Sequence, residues 1–438
     1  MQKRVLLIGG NFYPEPIGIG KYNGEMIEWL TENGYKCTVI TSFPYYPQWK
    51  VQQPYVKSSF WYKKEVKYYK PFYDTNISIY RCPQYVPNTP TGLKRILNGL
   101  SFFLASLPVI FKLLFEPKYD YVISVVPSFE TGLLAILYKS LRGGKFFYHI
   151  QDLQIDAARD LKILKSSMLI NFLFRVEKYI LKHADVVSSV SSGMIEKVHK
   201  KCNKKIDFFP NWVDNKVIYP ILNKASLKEE FNFKKSDKLV LYSGAIGEKQ
   251  GLENILFAAK SFLKQKDIQF LICGSGPYLK RLIQLKNELG LNNLTFIPTQ
   301  PIEKLNKFLN MADLHLIIQK ADASDLVMPS KLTNILAVGG VSIVTSKPGS
   351  TLHDLIVSNN IGFVVTPENV EALVVAIRQT VHADNQCVSI KALEYANRNF
   401  AIGSIIANFS LHMKEEPVIQ FPSLIGLQIN SQLVGMEA

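Results

Sequence analysis

The stretch LVMPSKLTNILAVGGVSIVTS, Leu326 to Ser346, joins a short helix to a β-branched strand. Pro329, Ser330 and Lys331 open the helical segment, Gly339-Gly340 ends it, and VSIVTS follows as a strand. Such a helix-to-strand junction belongs to an α/β chain. Its mouth, however, carries Lys331 and Asn334, polar residues just ahead of the apolar run Ile335, Leu336, Ala337. A cation at a helix start is disfavoured by the helix field unless an anion lies near. Either packing and capping place these two side chains there, or a charged ligand does.

Outward from this junction the same alternation fills the chain. RVLLIGG is followed by GKYNGEMIEWLTENG, where Tyr22, Met26, Trp29 and Leu30 recur at helical spacing. KCTVITS, a Pro/Tyr/Trp-rich loop, ISIYR, YDYVISVVP, ETGLLAILYKSLRG, KFFYHIQDL and DVVSSVS come next, and SSGMIEKVHK reads as a serine-capped helix. After the Asn/Pro-rich stretch PNWVDNKVIYPILNKA the pattern restarts at KLVLYSGAIG. Short buried strands, each followed by a helix, predict parallel sheets covered on both faces. The expected architecture is two Rossmann-like domains facing across a cleft: residues 1–210, a linker over 211–222, and residues 223–395. A C-terminal helix over 396–413 is expected to pack back on the first domain. The tail 414–438 has no clear periodicity.

The 438 residues allow ample core. A net charge of +15 predicts attraction to anionic partners: nucleotide, nucleic acid or membrane headgroups. The basic residues are spread along the chain with no nucleic-acid reader module, which argues against a nucleic-acid partner. Five cysteines at 37, 82, 202, 273 and 387 form no C-x-x-C pair, so neither zinc nor a disulfide framework is predicted and a reducing compartment is expected. MQKRVLLIGG reads as a first strand and its turn and not as a signal peptide.

Two segments raise the question of a membrane. Residues 93–115, LKRILNGLSFFLASLPVIFKLLF, are mostly apolar but interrupted by Asn98 and Pro108 and closed by Lys112. Residues 161–182, LKILKSSMLINFLFRVEKYILK, mix Leu, Ile and Phe with regularly placed Lys and Arg. Both fit helices lying on an interface better than spans; the plain alternative is a pair of ordinary core helices.

Three glycine-rich strand ends are candidates for ligand contact: GGNFYPEPIGIGKY with Gly18 and Gly20, SGAIGEKQG with Gly244 and Lys249, and CGSG with Gly274 and Gly276. None is G-x-G-x-x-G. Glycine lets backbone approach a phosphate, and a following helix N-terminus favours the negative charge, although glycines also end strands for steric reasons. His149 and Asp152 in YHIQDL end a strand expected to face the same cleft, where an imidazole and a carboxylate serve transfer chemistry; a structural histidine is the bland reading. Glu130 in PSFETG starts a helix, where an acid is favourable for dipole reasons alone, and His183 falls at a helix terminus.

The segments YPEPIGIGKYNGEMIEWLTENGYKCTVIT, YSGAIGEKQGLENIL, FLICGSGP and MPSKLTNILAVGG resemble glycosyltransferase family 4 of the GT-B fold, nearest those of colanic acid and related exopolysaccharide clusters. The resemblance covers roughly residues 3 to 410. It implies a retaining enzyme that moves a sugar from a nucleotide-diphosphate donor, held mainly by the second domain, to a saccharide or polyprenyl-diphosphate-linked acceptor, with no metal ion or other cofactor. Gly18 and Gly20 match the family's glycine loop facing the donor phosphates, and His149 and Asp152 its polar residues near the transferred sugar. The chain departs from the pattern elsewhere. Asn334 stands where the second glutamate of the family's E-x7-E motif contacts ribose, and Asp325 is the acid nearest the first. The Arg and Lys that neutralise the diphosphate are replaced by Ala245 and Gln250, leaving Lys249 and Lys331 to supply the charge.

The basic-apolar helices and the charge together suggest a cytoplasmic enzyme peripheral on the inner face of the membrane. The alternatives are a sugar-nucleotide hydrolase or epimerase of similar fold, and a non-catalytic binder of sugar nucleotides.

Overall fold

The computed structural model describes residues 2–15, 18–68, 76–160, 166–321 and 330–413. Asp325, Pro329, the start of the 161–182 segment and the tail after 413 therefore lie outside the described residues, as does the side chain of Lys249.

The first half runs β1 (Arg4–Ile8), α1 (Gly18–Glu32), β2 (Lys36–Ser42), β3 (Lys63–Tyr68), β4 (Asn76–Cys82), α2 (Gly92–Leu113) and β5 (Tyr121–Val126). It continues through α3 (Thr131–Arg142), β6 (Lys145–Ile150), α4 (Gln154–Asp160), α5 (Ser167–His183), β7 (Val186–Ser189), α6 (Ser192–Cys202) and β8 (Ile206–Phe208). These strands form one sheet in the order β3-β4-β2-β1-β5-β6-β7-β8, and every pairing is parallel except β3 with β4. The antiparallel β3 occupies the edge and falls in a charged stretch, KKEVKY, that carries no apolar run to mark it as a strand. β5 is buried along its whole length and β1 from Val5 onward, because both faces of the sheet are covered.

The second half runs α7 (Lys224–Glu230), β9 (Lys238–Ser243), α8 (Glu253–Lys260), β10 (Ile268–Cys273), α9 (Leu279–Glu288), β11 (Leu294–Ile297), α10 (Ile302–Asn310) and β12 (Leu314–Ile317). Then come α11 (Lys331–Ala337), β13 (Ser342–Thr345), α12 (Thr351–Asn359), β14 (Phe363–Val365), α13 (Val370–Thr380), α14 (Gln386–Asn399) and α15 (Ile402–Leu411). Its sheet, all parallel, has the order β11-β10-β9-β12-β13-β14. The opening junction folds as α11, a left-handed Gly339 (φ +64°), and β13. Strand order reverses between β1 and β5 in one sheet and between β9 and β12 in the other, and such switch points open crevices at the strands' carboxyl ends.

The last helix returns to the first half, while α14 stays on the second, its Ser389 hydroxyl donating to Gly339 O at 2.6 Å. Val213 and Ala401 form a short parallel bridge, with Val213 N–H donating to Phe400 O (2.8 Å) and Ile402 N–H to Val213 O (3.1 Å). From there α15 lays Phe409 flat on Phe209 (centroids 4.1 Å, planes 15° apart) and edge-on to Phe147 (5.4 Å). Phe209 also meets Trp212, whose indole N–H donates to Glu25 Oε2 at 2.8 Å. One aromatic cluster thus ties the inter-domain crossing, the first sheet and the chain's last helix together.

Removing the Phe409 ring is expected to cost about 3–5 kcal/mol, the range for deleting a buried aromatic. Leu411→Ala on the same helix, at an exposed position, is expected to cost within about 0.5 kcal/mol. Urea denaturation of both variants measures the difference.

Candidate functional site

Around the first switch point, the loops after β1, β2, β5 and β6 converge. Gly18 opens α1 at φ +65°, and a Cβ there would touch the Tyr46 ring at 3.4 Å. Gly20 has no room for a side chain: its Cβ would stand 2.6 Å from Glu15 Oε2. Glu15 is buried and accepts from the Tyr45 and Tyr46 amides (3.0 and 2.9 Å) and from Asn11 Nδ2 (2.9 Å). Burial still outweighs those bonds and pushes its carboxyl up to about 7. Glu15 therefore clamps the loop after β2 to the loop after β1. The phenol of Tyr46, pushed up by burial, also feels Glu15, Arg95 and Asp152, so these groups share one mouth. Arg95, at the start of α2, stacks over Trp49 at 5.4 Å.

His149 lies deeper. Only 3% of it is exposed, its Nδ1 lies 3.0 Å from Ser188 Oγ, and its ring packs at 4.8 Å against Phe209. Burial drives its basicity down to about 3, so it stays neutral at physiological pH. The structure joins Asp152 with Gly18 at the mouth and sets His149 behind them, against the aromatic cluster.

Glu130 at the head of α3 was legible only as a dipole-favoured acid. Its Oε1 is buried without a hydrogen-bond partner and lies 2.6 Å from where a Cβ of Gly99 on α2 would be. Burial pushes it up to about 7.

In the second half, the glycines of the loops after β9 and β10 have a mutual reason. A Cβ on Gly274 would sit 1.9 Å from Gly244 O, and one on Gly276 2.0 Å from Ile246 O. The loops are stitched by Gly244 N–H to Cys273 O and Ile246 N–H to Ser275 O, both 2.9 Å. Gly274 and Gly276 thus permit close backbone packing. Gly244 does something further, because the position its Cβ would take is 2.9 Å from Lys331 Nζ.

Lys331 reaches from the first turn of α11 under that loop. Its ammonium stands 3.7 Å from the centroid of the Tyr242 ring, whose hydroxyl donates to Ala245 O at 2.7 Å. No carboxylate among the described residues pairs with it. The stem is half-buried, but the charged end is enclosed, and burial brings it down to about 7. Asn334, one turn along the same face, has a buried Oδ1 with no hydrogen-bond partner. Gln250 is occupied elsewhere, its Oε1 accepting from Gly247 N–H at 3.1 Å, and Ala245 is exposed. Among the described residues, no three His, Cys, Asp or Glu side chains gather as metal ligands would.

The halves meet beside this lysine. The buried Tyr22 hydroxyl of α1 lies against Ser330 and Thr333 of α11, and Gly193 N–H at the start of α6 donates to Thr351 Oγ1 at 3.1 Å. The N-termini of α1 and α11 therefore face one cleft.

The model for glycosyl transferases group 1 matches residues 223–396, and the model for a glycosyl transferase 4-like domain matches residues 18–212. The colanic acid biosynthesis glycosyl transferase WcaI of Escherichia coli K12 is 37% identical over 93% of this chain and 98% of its own. The chain belongs to the glycosyltransferases. Among solved structures, sucrose-phosphate synthase of Thermosynechococcus elongatus superposes with TM-score 0.70 at 17% identity, covering 94% of this chain and 98% of that one. HepE of Anabaena, solved with UDP and glucose, superposes at 0.67 with 13% identity, covering 94% and 99%. The lipopolysaccharide glycosyltransferase WaaG likewise gives 0.67 at 13%, covering 94% and 100%. The two-domain glycosyltransferase is thus a GT-B fold.

Glu130→Gln is expected to unfold a few degrees above wild type at pH 8 and at the same temperature near pH 4.5. The folded carboxyl, held near 7, binds a proton that the unfolded one releases near 4.5. Wild-type stability is therefore lost as pH rises through that window, and glutamine escapes the loss. Thermal melts of both proteins across the window measure it.

Proposed function

We propose that this glycosyltransferase moves a sugar, with retention, from a nucleotide-diphosphate sugar to a saccharide or polyprenyl-diphosphate-linked acceptor in cell-surface polysaccharide biosynthesis. The observation that carries the donor is the Lys331 ammonium, enclosed beneath the Gly244 loop with no carboxylate beside it among the described residues. A nucleoside diphosphate supplies the missing anion, and the unpartnered Asn334 Oδ1 accepts from a ribose hydroxyl. As the glycosidic bond to the diphosphate breaks, negative charge grows on its oxygens. Lys331 and the amide ends of α1 and α11 then stabilise it without reorganising, in a reading that takes no metal ion. Supporting context comes from HepE, solved with UDP-glucose, and from WcaI, named for colanic acid biosynthesis.

The acceptor side is the mouth holding Tyr46, Arg95 and Asp152. Asp152 is the group we assign to an acceptor hydroxyl, while neutral His149 supports the wall behind it. A membrane-facing N-terminal half fits this assignment. α2 is long and apolar enough to cross a membrane, with mean hydropathy 1.7, but Phe102, Val109, Ile110 and Leu113 are buried against the first sheet and Pro108 interrupts it. Its outer line of Leu93, Leu97, Leu100, Leu104 and Phe111 is exposed, as are Met168 and Phe172 on α5. At 100° per residue the α2 positions fall within about 60° of one another, a stripe suited to lying on a bilayer surface.

Calorimetry of wild type and Lys331→Met with UDP, GDP, ADP and TDP tests the donor reading. One nucleotide is expected to bind wild type and to lose about 30-fold or more in the variant, the scale of a charge-assisted bond. Wild-type affinity is expected to fall from pH 7 to 9, since the free ammonium is held near 7 and binding then requires proton uptake. The variant is expected to be flat over that range. Equal binding by both proteins removes Lys331 from the site, and no binding of any nucleotide overturns the donor assignment. Donor turnover without an acceptor favours the hydrolase alternative; donor binding without turnover favours the non-catalytic binder, which Ala245 and Gln250 suit.

A further inference from the structure

We propose that a cavity at the outer edge of the first sheet, between β3, β4 and the C-terminal half of α2, binds the phosphate headgroup of an anionic phospholipid. This rests on the membrane-facing reading above but names a site separate from donor and acceptor. β3 lies three strands from β1, about 14 Å across the sheet from the switch-point crevice.

The cavity is an open groove of about 310 Å³ lined by Lys63, Lys64, Arg81 and Lys112 with Tyr62, Tyr80 and the apolar Pro108–Val109 turn. Its charges divide into two kinds. Arg81 is 1% exposed and committed: Nε pairs with Glu65 Oε2 at 2.7 Å, and its other nitrogens donate to Ser42 O and Tyr13 O. Lys63 shares the same Glu65 at 3.0 Å. Lys64 from β3 and Lys112 from α2 have no carboxylate partner among the described residues; both hold their ammonium over the ring of Tyr80, at 5.3 and 5.1 Å. The acid facing them, Glu116, accepts from the Tyr80 hydroxyl at 3.2 Å. Two cations thus meet one tyrosine with no ion-pair partner among the described residues, and an anion entering the groove is attracted by both.

A soluble anion would be content with the lysines alone. The surroundings specify a lipid. Phe60 and Trp61 are 83% and 74% exposed, and Trp61 packs at 5.6 Å against Tyr62 of the cavity wall. On the other flank Pro108 sits at the margin of the exposed α2 stripe, and Phe111 and Phe115 beside Lys112 are also open. A cationic pocket between two sets of exposed apolar side chains matches a phosphate at the interface with acyl chains on either side. The stripe gives depth; the pocket gives choice of headgroup and a fixed rotation of the enzyme on the surface.

Co-sedimentation with phosphatidylcholine vesicles, with and without phosphatidylglycerol, tests this on wild type and on the Lys64→Ala/Lys112→Ala double variant. Both lysines are exposed and outside the donor cleft, so nucleotide binding measured on the same samples is expected to be unchanged. Wild type is expected to sediment with the anionic vesicles, and the double variant to bind them about tenfold or more weakly, as two juxtamembrane lysines warrant. Equal sedimentation of the two proteins overturns the proposal. So does wild-type binding that ignores phosphatidylglycerol, or quenching of tryptophan fluorescence by inorganic phosphate without any vesicle binding. Wild type that binds nucleotide but sediments with no vesicle removes only the pocket; wild type that sediments with anionic vesicles but binds no nucleotide removes only the donor reading.

Discussion

An ammonium group shut under a backbone loop with no carboxylate beside it among the described residues is costly, and the second half of the molecule is arranged around that cost. Lys331 is tolerated because the Tyr242 ring offers its negative face at 3.7 Å and because Gly244 leaves the space the charge occupies. Gly244 is in turn fixed by its neighbours, since Gly274 and Gly276 let the loop after β10 lock against it through two 2.9 Å bonds. Gly274 and Gly276 make room for backbone and Gly244 for the ammonium, and together they hold a lysine where its charge is incompletely satisfied. A protein that carries such strain at rest has a reason to bind an anion there, because binding removes the strain.

The same economy governs the relation between the two halves. The cleft is closed at one side by Tyr22 against Ser330 and Thr333, and at its base by the Phe209–Phe409–Trp212 cluster. Tyr22 packs edge-on to Trp212 at 5.2 Å, so the base and the side of the cleft share a contact. His149 belongs to this base. Its neutral ring fills space against Phe209, and in that position it sets where the wall of the cleft stands while remaining inaccessible to bulk solvent.

What the sequence made legible follows from how local each signal is. Lys331 and Asn334 stood out because polar residues at an apolar helix-strand junction break a pattern spanning a few neighbours. The alternation of strands and helices is likewise local, and both sheets follow from it. Glu15 and Arg81 were invisible because their partners are distant in the chain: Glu15 holds amides at 45 and 46, and Arg81 meets Glu65 and the carbonyl of Tyr13. β3 escaped because an edge strand facing solvent needs no apolar face, and KKEVKY has almost none. Gly274 and Gly276 were seen, but as phosphate-facing glycines. Their steric partners are carbonyls on an adjacent loop, and nothing in a linear sequence tells a glycine emptied for a ligand from one emptied for a neighbouring backbone.

The positive charge can now be divided. Part is structural: Lys201 lies between Asp156 and Glu177 at 2.5 and 2.7 Å, and Lys228 meets Asp313 at 2.8 Å, so these add nothing to an external field. Lys331 is enclosed and turned inward. Lys64 and Lys112 are exposed, lack carboxylate partners among the described residues, and sit beside the apolar face of α2. Three cations without carboxylate partners among the described residues thus fall in two separate places, one inside the cleft and two at the sheet edge. The first suits a ligand that arrives by diffusion and must be desolvated; the second suits a surface that stays hydrated and is met repeatedly. If the edge pocket fixes how the N-terminal half rests on a bilayer, the loops after β1, β2 and β6 keep one orientation toward it. An acceptor anchored in that bilayer then approaches Asp152 from a restricted set of directions, which lowers the entropy lost in positioning it for transfer.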